Sequence, residues 1–134
     1  MNNKEIRWQQ RFENLKKAYA ILEKAISIEN PSEIELGGII QFYEMTFELS
    51  WKTLKDFLES EGVVAKTPRE VIKQAFQAEI ISEGHRWIDA LDDRNFTTHI
   101  YDEETIKHIV AKIKTSYFSL LKNLLEELKK HESK

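Results

Sequence analysis

Eight apolar residues, each three or four positions from another, run through the last third of the chain: Ile106, Ile109, Val110, Ile113, Tyr117, Leu120, Leu124 and Leu128. Such steps return a side chain to the same face of a helix, so this stripe commits the segment to one long amphipathic helix. Trp8, Phe12, Leu15, Tyr19, Leu22 and Ile26 do the same for about Asn3 to Ile28. A helix with one apolar face must bury it against another element. Only four Gly and two Pro interrupt the chain, so long regular elements are expected.

Capping signals divide the rest. Pro31 in "ENPSE" ends or restarts the helix. Ser32 with Glu35 three residues on predicts an N-cap and capping box. The second helix then runs to about Glu61, with Gly62 as its C-cap. Its Ile40, Phe47, Leu54 and Leu58 make one face. Ile39, Phe42, Met45, Leu49 and Phe57 spread beyond it, so the helix is expected to be covered on more than one side. A second subunit, a partner or the chain's own core would each provide that cover. "VVAKTPREVIKQAF" starts a short helix, with Thr67 as N-cap, Pro68 at the first position and Glu70 completing a capping box. "ISEGHRWIDALDDRN" starts another at Ser82, with Ile88 and Leu91 as core contacts. Asp102 caps the last helix, whose final turn carries Lys129 and Lys130, favourable to the helix dipole. No stretch reads as a strand. The expectation is an all-α fold: one domain over residues 1–134, an antiparallel up-and-down four-helix bundle with a broken third element.

Composition narrows the function. There is no Cys, which removes disulfides and thiolate zinc sites and suits a cytoplasmic protein. His85, His99, His108 and His131 form no zinc-protease pair; Glu104 and His108 share a helix face, a spacing common on surfaces. No metal and no cofactor is expected. No apolar stretch approaches the roughly 20 residues of a membrane span. The formal net charge of −3 argues against a general nucleic-acid coat protein but leaves room for a local basic site.

A candidate phosphate-handling segment is "DDRNFTTHIYD", residues 92 to 102, where an Arg, an Asn, two Thr, a His and a Tyr sit between two acidic ends. Arg94 offers a permanently charged fork for phosphate, and His99 can exchange a proton near neutral pH. Asn95, Thr97 and Thr98 can add hydrogen bonds. On an ideal helix a five-residue step turns about 140°, so Arg94 and His99 cannot share a face of an unbroken helix. Either the helix breaks near Thr97–Thr98, or two copies of the segment meet across a two-fold axis. The residues alone leave a plainer reading open, a polar helix end with Arg94 paired to Asp93 or Asp102. Trp8, Trp51 and Trp87 read as core or interface anchors. Lys52 and Lys55 read as solvated helix lysines, although they could face RNA.

From "RWQQRFENLKKAYAILEKAI" to the last helix, the chain resembles the HEPN superfamily (higher eukaryotes and prokaryotes nucleotide-binding), specifically the nucleotidyltransferase substrate-binding subunits. "FYEMTFELSWKTLKDFLESEG", "TPREVIKQAFQAEII" and "DDRNFTTHIYDEET" carry the resemblance. The last block holds the Arg-x4-His-x-Tyr pattern as Arg94, His99 and Tyr101. The resemblance implies an all-α homodimer encoded beside a minimal nucleotidyltransferase in a toxin–antitoxin pair. It implies a metal-independent ribonuclease with Arg94 and His99 as catalytic residues, RNA as substrate and Tyr101 as acceptor of nucleotidyl groups. The alternative is a non-catalytic subunit that presents a substrate to the nucleotidyltransferase.

Overall fold

The computed structural model describes residues 2–99 and 102–132. Its elements are α1 (Asn3–Ile26), α2 (Glu33–Ser60), α3 (Pro68–Gln77), α4 (Gly84–Phe96), a 3-10 turn (Thr97–His99), α5 (Glu103–Lys112), a π-helical turn (Ile113–Tyr117) and α6 (Phe118–Lys129). No strand occurs among the described residues. The backbone stays helical through the π turn, so α5 and α6 form one rod.

Cross-helix pairs give the directions. Trp8 meets Phe57 edge-on at 5.0 Å, and Arg7 and Arg11 lie against Glu59 and Asp56. The start of α1 therefore sits at the end of α2, and the two run antiparallel. α4 lies across α2, with Trp87 on Phe47, Arg94 on Glu48 and Thr97 on Glu44, and runs antiparallel to the rod, Arg86 meeting Ser116 and Asp93 meeting Lys112. The α5–α6 rod runs antiparallel to α1, Phe118 stacking on Tyr19 and Glu132 beyond its end bridging to Lys16 at 3.0 Å. His131 packs on Phe57 there. The result is the expected all-α, up-and-down four-helix bundle, with α3 and α4 as the broken third element.

α2 is the central helix and packs against α1, α3, α4, α5 and α6. Ile39, Tyr43, Phe47 and Leu54 on it are fully buried, facing Phe12, Leu15 and Leu22 of α1 and Ile113 of the rod in one core. Each such side chain contributes about 1.5–3 kcal/mol by leaving water. Thr46, Ser50 and Thr53 are buried too, and each hydroxyl donates to the carbonyl four residues back. These small residues satisfy their own polarity and let neighbouring helices approach. The wide apolar surface of α2 is thus covered largely by the chain's own core. Met45 remains 46% exposed.

The Ser32–Glu35 capping box forms in both directions, and Gly62 adopts φ 87° beyond the end of α2. Thr67 caps α3, but the Glu70 carboxylate accepts from the Lys66 N–H at 2.8 Å rather than from Thr67, so the second box is not reciprocal. α4 begins at Gly84, not Ser82. Glu83 precedes it in the left-handed region, with no side-chain cap. The N–H groups of Ile80 and Ile81 turn back to the Ala75 carbonyl, which delays the start. Trp87, 2% exposed, anchors α4 together with Leu91, whereas Ile88 is only half-buried.

Candidate functional site

The segment that carries the motif is shaped by three local events. α4 ends at Phe96, a single 3-10 turn spans Thr97 to His99, and Asp102 restarts the chain by accepting the Thr105 N–H and hydroxyl. Those two bonds hold the Asp102 carboxyl below its ordinary value. The α-helix therefore gives way to a 3-10 turn within the Arg94–His99 interval. His99 is exposed at the end of the turn. Tyr101 lies outside the described residues.

Arg94 projects from the last turn of α4 onto α2. One Nη2 hydrogen bond reaches the Glu48 carboxylate at 2.7 Å, and Nη1 donates to Asn95 Oδ1 at 3.2 Å. The partner of Arg94 is thus Glu48, neither Asp93 nor Asp102. Both side chains keep about a third of their surface, 30% and 31%. Arg94 Nε is buried with no acceptor, a donor that costs about 1–3 kcal/mol to leave unmet.

Glu48 is a hub. It also accepts from Trp51 Nε1 at 3.0 Å and pairs with Lys52 Nζ at 3.1 Å. Burial alone would raise its pKa. The hydrogen bonds from Trp51 and Lys52 and the charges of Arg94 and Lys52 outweigh that and hold it below the usual carboxylate value. One turn earlier on α2, Glu44 receives the Thr97 hydroxyl at 2.6 Å. The same hydroxyl lies 2.7 Å from the Arg94 carbonyl, and Thr98 Oγ1 donates to the Asn95 carbonyl at 3.0 Å. Thr97 is buried and its hydroxyl is engaged at the helix end, whereas Asn95 and Thr98 are exposed.

A second brace holds α4 from the rod. The Tyr117 hydroxyl donates to Asp93, and Lys112 Nζ reaches the same oxygen at 3.2 Å. Burial, that hydrogen bond and nearby carboxylates push the Tyr117 phenol well above its ordinary value. Arg86 donates to the Ser116 carbonyl and hydroxyl, both at 2.9 Å, inside the π turn. Tyr43 stacks on Tyr117 at 5.7 Å and donates to the Ala90 carbonyl at 2.7 Å. Asp93 and Arg94, adjacent in sequence, are thus pinned from opposite sides by the rod and by α2.

Glu44 and Glu48 escape a reading of the motif alone, because they lie about 50 residues upstream. Their signal is two acids one turn apart in the apolar-rich middle of α2. Among the described residues no group of three or more His, Asp or Glu is placed to hold a metal ion, and no helix is long and apolar enough to cross a membrane.

The family model described as "Nucleotidyltransferase substrate binding protein like" matches residues 10–130. The chain belongs to this family. A Haemophilus influenzae member of the HEPN type, named "Probable ribonuclease HepT", is 29% identical over 83 residues. The match covers 58% of this chain and 57% of that protein, so the chain aligns with little more than half the relative's length. A Thermus thermophilus crystal structure superposes with a TM-score of 0.80 at 32% identity, covering 86% of this chain and 98% of that one. HI0074 from Haemophilus influenzae, described as having the fold of a substrate binding domain of a nucleotidyltransferase, gives 0.78 at 26% identity, covering 88% and 98%. The family marks this chain as a nucleotidyltransferase-associated, HEPN-type subunit.

Proposed function

We propose that this family member is a metal-independent endoribonuclease, the toxin of a cytoplasmic toxin–antitoxin pair whose partner is a minimal nucleotidyltransferase. The carrying observation is the change from α-helix to 3-10 turn after Phe96, so that Arg94 and His99 do not lie on one α-helix. The name of the Haemophilus influenzae relative, a probable ribonuclease, supports the same reading. In the proposed reaction the ribose 2′-oxygen attacks the adjacent phosphorus and loses its proton to a base. The 5′-oxygen leaves and takes a proton, giving a 2′,3′-cyclic phosphate and a 5′-hydroxyl. His99 moves protons, and Arg94 stabilises the charge growing on the phosphate oxygens. Asn95 and Thr98 are exposed beside it and serve as further phosphate contacts, with Thr97 shaping the turn.

The reaction needs a base and an acid, yet each chain offers one His in the motif. Glu48 also offsets much of the Arg94 charge within a protomer. A two-fold homodimer doubles both groups. Met45 and Phe96, 46% and 51% exposed beside the motif, are the apolar anchors proposed for that contact. Tyr101 is proposed as the acceptor by which the partner silences the toxin. Its phenol oxygen attacks the α-phosphorus of a nucleoside triphosphate and pyrophosphate leaves. The added bulk and negative charge then block the cleft.

The test is RNA cleavage with EDTA present, comparing the protein with Arg94→Ala and His99→Ala. Loss of cleavage in both variants supports the reading, and equal activity in all three overturns it. After incubation with partner and nucleoside triphosphates, a mass increase absent from Tyr101→Phe supports the acceptor role. The second reading, a non-catalytic substrate-presenting subunit, draws on the description of HI0074. Binding of the nucleotidyltransferase at micromolar concentration without growth arrest on solitary expression would favour it.

A further inference from the structure

Lys52 lies outside the motif, on a different helix, yet it shares a carboxylate with Arg94. Lys52 Nζ is 3.1 Å from Glu48 Oε1, and Arg94 Nη2 is 2.7 Å from Glu48 Oε2. Each oxygen of one acid therefore takes one cation, and the two cations converge from α2 and α4. The three groups together carry a net positive charge. Lys52 keeps 39% of its side-chain surface and Arg94 30%, so both reach solvent. The Lys ammonium has three donors and a flexible stem, so a single contact with Glu48 leaves donors to give. As a mere staple along α2 this pair would contribute little, because exposed ion pairs one helical turn apart are weak in water.

We propose that Lys52 is a second phosphate-binding cation of the site, with Glu48 as the positioning residue that keeps it beside Arg94. The inference rests on the RNA-binding reading of Arg94. Arg94 supplies a planar fork and Lys52 a mobile point charge, a pair suited to two oxygens of one phosphodiester or to neighbouring phosphates of a single strand. The intended ligand is single-stranded RNA. It meets the two cations through its backbone, so Lys52 adds affinity and not base preference.

The experiment measures binding of a short single-stranded oligonucleotide with 2′-O-methyl riboses, which lacks the attacking hydroxyl and stays intact. Affinity is followed as a function of salt for the protein, Lys52→Ala, Lys52→Gln and Lys52→Arg, with circular dichroism confirming each fold. A lost phosphate contact lowers the slope of log affinity against log salt by about 0.7 for single strands. The expected result is that loss in the Ala and Gln variants, uniformly across sequences, with the Arg variant close to the parent. A structural role for Lys52 would leave the slope unchanged. Parent binding with an unaltered slope in both neutral variants overturns the assignment of Lys52 while leaving the Arg94 site standing. Failure of the parent protein to bind overturns both.

Discussion

Glu48→Gln removes one charge and keeps the shape, so it isolates what the hub carboxylate does. Three partners lose a charged acceptor: Arg94 at 2.7 Å, Trp51 at 3.0 Å and Lys52 at 3.1 Å. Fully exposed pairs are worth about 0.2–1 kcal/mol, and hydrogen bonds to charged groups about 1.5–3 kcal/mol. With roughly a third of each side chain exposed, and with the Gln oxygen still accepting one bond, the expected loss is about 1–2 kcal/mol. For a domain of this size that lowers Tm by about 4 °C per kcal/mol. The pH dependence follows from the depressed pKa of Glu48. Its contribution is complete above the unfolded carboxyl value, about 4.3, and disappears as pH falls through the lower folded value. Urea unfolding followed by circular dichroism should show the full gap near neutral pH and a closing gap below about pH 4. Equal midpoints near neutral pH would refute the hub, and a gap that persists in acid would show that it is not electrostatic. In the oligonucleotide assay the same variant should bind more tightly, because a competing anion is gone. It should cleave more slowly, because Arg94 is no longer oriented.

Three further outcomes are expected. Tyr117→Phe leaves Asp93 with Lys112 alone and should cost about 1–2 kcal/mol near neutral pH. Because the folded phenol pKa is raised, that advantage is present below about pH 10 and shrinks as pH climbs above it, so parent and variant should converge in alkaline urea titrations; a constant gap would count against the brace. Glu79 adopts φ 61° in the exposed loop before α4, so Glu79→Gly should raise the unfolding free energy by about 0.5–1 kcal/mol, read as a higher urea midpoint, and a lowered midpoint would exclude strain there. Met45→Glu with Phe96→Asp should convert a dimer into a helical monomer by sedimentation; a doubly charged variant that stays dimeric moves the interface elsewhere.

The legible parts of the sequence were those with local causes. Ser32 with Glu35, Thr67 with Pro68, and Asp102 each act within a few residues, so their caps follow from composition alone. Likewise the stripes of α1 and the rod bury most of the residues that their spacing selects, with Tyr19, Ile26 and Ile106 only partly buried against the core. The start of α4 was hidden because Glu83 uses a backbone conformation, not a side-chain cap, and the choice of Trp87 over Ile88 depends on where Phe47 sits. At the site, helix phase left two alternatives, a break near Thr97–Thr98 or a second copy, and a 3-10 turn lies at Thr97–His99. The Glu48 and Glu44 partnerships do not follow from helix phase, because they span 46 and 53 residues and depend on how α2 and α4 dock. Nor does any residue between Ile113 and Tyr117 announce the π turn, since a step of four is equally natural in an α-helix.

That π turn makes the rod unequal in how it tolerates changes of length. A π turn holds an added residue without rotating the helix beyond it. Deleting one residue between Ile113 and Tyr117 would straighten the rod and leave the apolar face of α6 in phase with the core. The same deletion within α6 would swing Leu124 and Leu128 by about 100° toward water. The benign deletion still has a cost, since Ser116 and Tyr117 are the residues that tether Arg86 and Asp93 of α4. Length variation at this point would therefore spare the core and register, through α4, on the Arg94 site.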